Sequence, residues 1–241
     1  MKRKEKQPLL KQSHLPLILL GAVMALFGLA SALVWSISSS QAMRGLITVG
    51  QLRTRIAAFE STGGLITGIA FFVLFLWCIV LSRYGVRAAF IVGIFASFAP
   101  ILTARAEPLL FDTLHLQLPA GSVVAGALAT LVFALPMTIF FIILASSPRV
   151  PRNCRWVSLA AILIVLGTAF FPILVTVFAF LIKPGDPAVG RMMEVGSQVI
   201  KLRYILPGIC LLLLAFFSQR FQARRVTGEA SQTSTIQGVT Q

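Results

Sequence analysis

Acidic side chains are scarce in this chain. Seven Asp and Glu stand against 21 Lys and Arg in 241 residues, and charged residues of every kind make up only 12%. A soluble domain carries about 25%. So few charges cannot cover a surface against water, and with 57% apolar residues lipid must do part of the covering. The net charge of +14 does not indicate a nucleic-acid binder, because the basic residues flank apolar runs instead of gathering on one face of a soluble domain. They suit anionic lipid headgroups instead.

The groups that carry chemistry are also scarce. There is no H-E-x-x-H zinc motif and no G-x-x-x-x-G-K-[ST] phosphate loop. Cys78, Cys154 and Cys210 form no C-x-x-C. Cys78 and Cys210 read as apolar fillers and Cys154 as a free thiol in a short basic loop. Asn153 is the one asparagine, and the Cys154-Arg155 that follows it makes no glycosylation site. His14 and His115 are the only histidines, and the topology below puts them on opposite sides of a membrane. No metal, cofactor or catalytic set is expected.

What is present is six long apolar runs: 15–37, 64–82, 88–104, 121–146, 157–182 and 204–219. As a helix, 15–37 rises roughly 34 Å, enough for a hydrocarbon core of about 30 Å. It is too long for a signal-peptide core of about 7–15 residues, so it reads as a retained first helix. Spans 88–104 and 204–219 are the weakest, the latter extending back toward Val199 with Lys201 and Arg203 snorkelling to the interface.

Orientation follows from Lys and Arg. Thirteen lie in 1–14, 83–87, 149–155 and the tail, and eight lie in the other connections. The positive-inside rule then places both termini in the cytoplasm. Trp35 and Tyr204 fall near the outer interface, and Trp77, Tyr84 and Trp156 near the inner one. The expected fold is an all-α integral membrane protein: a six-transmembrane-helix bundle, N-in and C-in. It has a basic cytoplasmic N-terminus (1–14), amphipathic extracytoplasmic connections and a disordered cytoplasmic tail (220–241).

Lipid is as apolar as leucine, so close backbone approach must hold such helices together. Gly21, Ala25, Gly28 and Ala32 share one face of the first helix, and Gly64-x-x-x-Gly68 opens the second. Pro100, Pro136, Pro172 and Pro207 fall within or near helix interiors, where each removes a backbone hydrogen bond. The spans carry no charge away from their ends, which disfavours ion coupling and intramembrane catalysis. Thr67, Thr130, Thr138, Thr168 and Thr176 read as hydroxyls bonded back to helix carbonyls.

Candidate polar sites lie outside. Arg105, Glu107, Asp112 and His115 cluster in one outer connection, with Asp112 and His115 at i, i+3 on an interfacial helix. Connection 41–60 interleaves Arg44, Arg53 and Arg55 with apolar residues, and the last connection carries Arg191 and Glu194. Arg53, Arg55, Arg191 and Glu194 are the candidate docking residues of an outer cap. The expected function is a non-enzymatic polytopic subunit, scaffold or accessory protein of a larger inner-membrane assembly, bacterial by its charge asymmetry. It would bind a protein partner or a second copy of itself. The alternatives are a carrier or channel for an apolar or weakly polar solute or lipid, and an outer-face enzyme using Asp112 and His115.

A fluorescent protein fused after Gln241 should fluoresce in cells, and alkaline phosphatase fused at Gly45 should be active. Inactive phosphatase at that site would reverse the orientation.

Overall fold

A computed structural model describes residues 9–10, 14–83, 85–102, 120–181, 199 and 202–221, and their side chains except at 49, 50, 53, 57, 60, 120–129, 172, 175–181. Among the described residues there are six helices: α1 (Leu15–Met43), α2 (Val49–Leu81), α3 (Arg87–Leu102), α4 (Ala120–Ser146), α5 (Arg152–Leu181) and α6 (Leu202–Phe221). Four stretches are long and apolar enough to cross a membrane: Leu15–Met43, Thr54–Leu81, Arg152–Phe171 and Leu202–Phe221. The other two helices contribute the shorter apolar stretches Arg87–Leu102 and Thr130–Ser146. This is the build of an integral membrane protein.

Helix ends depart most from the sequence reading. Connection 41–60 is largely helix, because α1 runs on to Met43 and α2 begins at Val49. Local chemistry sets the tight turn between them. The Leu46 N–H reaches the Gln41 carbonyl and the Gly45 N–H reaches that of Ala42, with Gly45 at φ 71°. This is a Schellman ending, in which glycine supplies the left-handed residue. Thr48 then starts α2 with a capping box: its hydroxyl accepts from the Gln51 N–H, and the Gln51 side chain accepts from the Thr48 N–H. With 29 and 33 residues, α1 and α2 rise about 44 and 50 Å, well beyond a hydrocarbon core of about 30 Å.

Proline shapes α3. Pro100 has no N–H to offer the Ala96 carbonyl, and the preceding turn, Phe95–Phe98, tightens to a 3₁₀ helix. The Ala99 N–H bonds to Ala96 instead, and the Ser97 hydroxyl donates to Ile94.

The helices close into a ring in which α1 packs on α2, α2 on α3, α3 on α4 and α4 on α5. α6 completes it. The Cys154 thiol of α5 donates to the Leu214 carbonyl at 3.9 Å, and Tyr204 lies edge-on to Phe133 of α4 and Phe27 of α1. Phe71, Phe75, Phe90, Phe133, Phe140 and Phe141 are fully buried in the centre. Phe140 meets Phe75, Phe90 and Phe141 edge-to-face, with centroids 6.2, 5.4 and 5.0 Å apart. Such pairs gain about 0.5–1.5 kcal/mol each beyond burial. The outward faces are also apolar, including Leu26, Ile66, Val80, Trp156 and Leu163. Helices apolar all round suit lipid outside and protein inside.

Glycine governs the closest contacts. A Cβ added to Gly21 would stand 2.8 Å from the Gly208 carbonyl oxygen, and one on Gly208 would stand 2.7 Å from the Gly21 oxygen. A Cβ on Gly28 would lie 2.9 Å from the Ile205 backbone nitrogen. On the other side, Gly64 faces the Pro100 carbonyl and Gly68 the Ser97 carbonyl, where added Cβ atoms would lie at 2.5 and 2.8 Å. At each place two backbones touch, and any side chain would push them apart.

The end of the bundle where α1 begins holds a further departure. The segment 1–14 was expected to be a polar extension, yet Leu9 and Leu10 are buried. The Leu9 N–H donates to the buried Ser218 hydroxyl of α6, and Leu10 forms an antiparallel bridge to Ser82 at the end of α2. Two adjacent leucines in a basic stretch give no periodic signal, so only tertiary contact reveals them.

Gly21→Leu and Gly208→Leu should each destabilise the protein in detergent by about 2–3 kcal/mol or more through overpacking. Gly167, which has nothing near its missing Cβ, should tolerate Leu with little change. Thermal unfolding of the three variants checks this.

Candidate functional site

Because lipid tolerates charge poorly, a charged side chain held inside a bundle is the first place to look for function. Among the described residues Arg203 is that side chain. The sequence reading had it snorkelling to the interface, but it is only 9% exposed. Immediately after it in the chain, at Tyr204 and Ile205, Gly28 lets α6 press on α1. The side chain is enclosed and turns toward α4. Its Nη1 stands 3.5 Å from the Thr130 hydroxyl oxygen, at the long limit of a hydrogen bond. Its guanidinium carbon lies 4.7 Å from the Tyr204 ring centroid, within cation–π range.

Tyr204 was expected as an interfacial anchor. It is 4% exposed and lies between Phe27 and Phe133, with centroids 5.2 and 4.7 Å away. The same glycine contact draws it inward. The result is an aromatic wall around a fixed positive charge.

The threonines behave differently from one another. The Thr168 hydroxyl bonds back to the Ile164 and Val165 carbonyls at 2.9 and 3.1 Å. Thr130 instead faces Arg203 across the helix interface. Thr130 was legible as a mid-span hydroxyl, but its partner was not, because 73 residues separate them.

The outer candidates Arg105, Glu107, Asp112, His115, Arg191 and Glu194 lie outside the described residues, as does the side chain of Arg53. Arg55 is described: its Nη1 donates to the Gln41 side-chain oxygen at 2.7 Å, tying α2 to α1 near the hairpin tip. The packing candidates Gly21, Ala25 and Gly28 lie against α6, and Gly64 and Gly68 against α3. Ala32 is half-buried one turn farther along α1. Among the described residues, no three His, Cys, Asp or Glu side chains gather.

Cys154 is not in a loop. It lies in the first turn of α5, fully buried. Comparison with protein-family models, with curated proteins and with solved structures gives no match.

Cys154 should resist a membrane-permeant maleimide in native membranes and react fully after unfolding in dodecyl sulfate. In a variant with Cys78 and Cys210 replaced by Ala, prompt labelling of native protein would contradict this packing.

Proposed function

We propose that the chain is a non-enzymatic polytopic subunit, a scaffold or accessory component of a larger membrane assembly. One observation carries this reading. α1 meets the start of α6 at Gly28 and then continues to Met43, which is about 22 Å farther along the helix axis. The α1–α2 hairpin therefore projects beyond the described start of α6. Its projecting part exposes Leu33, Ile37, Met43 and Leu46, with Met43 84% exposed. Arg44 and Arg55 share the same tip. Apolar side chains interleaved with arginine are the composition of a surface that docks on a protein partner.

The aromatic centre supports the same reading. Phe75, Phe90 and Phe140 occupy the space between α2, α3 and α4, where a carrier would need a path. A carrier or channel for an apolar or weakly polar solute or lipid is the alternative reading, motivated by Pro100, Pro136, Pro172 and Pro207 and by the threonines of the spans. The charge asymmetry supports a bacterial inner membrane with both termini inside.

Native mass spectrometry of protein extracted in mild detergent should give masses above that of the single chain. The double variant Met43→Glu, Leu46→Glu should return to the monomer while keeping its helical signal. A lone wild-type monomer across several mild detergents would contradict the proposal.

A further inference from the structure

The Arg203 guanidinium is buried with an orphaned donor. Its guanidinium has five N–H donors. Among the described residues it has one long contact, to Thr130, and one aromatic face, that of Tyr204. Its Nε is buried with no hydrogen-bond partner. A buried, permanently charged fork with an unused Nε edge is a poor structural element, since an apolar residue of the same volume usually packs at least as stably. It is a good receptor for an oxyanion, which it can hold through two parallel N–H···O bonds.

Depth and surface indicate which oxyanion. Arg203 lies about 27 Å along α6 from Phe221, close to the thickness of a hydrocarbon core. A group bound there sits at headgroup level. Toward Phe221, residues Ile209, Leu213 and Phe216 form an exposed apolar stripe along α6, with Leu202 on the same face at its start. That stripe offers an acyl chain a continuous track leading away from the charge.

We propose that Arg203 and the Thr130 hydroxyl form a binding site for a phosphate oxyanion at the end of α6 opposite Phe221, occupied by the phosphate of an anionic phospholipid whose acyl chain lies along the α6 stripe. The guanidinium Nε, which has no partner of its own, and an Nη donate to two phosphate oxygens. The Tyr204 ring closes the opposite face of the guanidinium and keeps water from competing. The site is independent of the docking hairpin, so it can stand or fall without the subunit reading.

The test is thermal unfolding of delipidated full-length protein in detergent with three probes: dioctanoyl phosphatidylglycerol, inorganic phosphate and dioctanoylglycerol. The phospholipid should raise the midpoint of the wild type by several degrees, and dioctanoylglycerol should not. Arg203→Met should lose the rise. Arg203→Lys keeps the charge without the fork and should bind about tenfold more weakly. It also serves if the methionine variant does not fold. A rise with inorganic phosphate equal to that with the phospholipid would support the oxyanion site and overturn its assignment to lipid. An equal rise in wild type and both Arg203 variants would overturn the site, as would no response of the wild type to either phosphate probe. In the last case a carboxylate of the chain itself neutralises Arg203.

Discussion

The backbone contact between Gly21 and Gly208 sets the arrangement of this bundle. In lipid, burying leucine against leucine gains nothing over leaving it in the membrane. Helices associate where their backbones come close enough for dense van der Waals contact, and glycine permits the closest approach. Here the first and last helices meet through reciprocal glycine faces. That contact closes the ring α1 to α6 and fixes how α6 is rotated. Once α6 is seated, Tyr204 must enter the aromatic layer between Phe27 and Phe133, and Arg203 must face α4. A second glycine pair, Gly64 and Gly68 against α3, holds the opposite side, where Pro100 has already tightened the helix.

The helical segments were legible in the sequence because each is a long apolar run free of interior charge, and four of them yield stretches long enough to cross a bilayer. The ends of the helices were not. A hydropathy reading stops where polar residues begin, and α1 and α2 continue past that point as an amphipathic hairpin. The T-x-x-Q of Thr48–Gln51 and the glycine at 45 were visible signals for the turn, but they lay inside a stretch read as one long connection. Leu9 and Leu10 were hidden because two leucines among lysines have no period. The burial of Arg203 was hidden for a similar reason: a charge at a helix end normally reaches water, and only the position of Gly28 on another helix shows that this side chain is enclosed.

Among the described residues, one buried charge stands out. The centre is filled by phenylalanines, Cys154 is buried, and Thr168 is occupied by its own helix. The buried cation at the start of α6 stands apart from this, as a charge kept in an expensive position. The projecting α1–α2 hairpin and the Arg203 site differ in chemistry, one an exposed apolar and basic surface, the other a buried cation. Both depend on the α1–α6 contact, because it determines how far the hairpin projects and which way Arg203 faces.

The ring of Tyr204 reports on that contact directly. The protein has two tyrosines, so selective ring labelling in nanodiscs gives two sets of signals, and Tyr204→Phe assigns them. Through-space nuclear Overhauser contacts from Tyr204 to the rings of both Phe27 and Phe133 are the predicted result. Contacts from Tyr204 to lipid or water alone would mean that α6 does not pack on α1 in this way, and the account would fail at its centre.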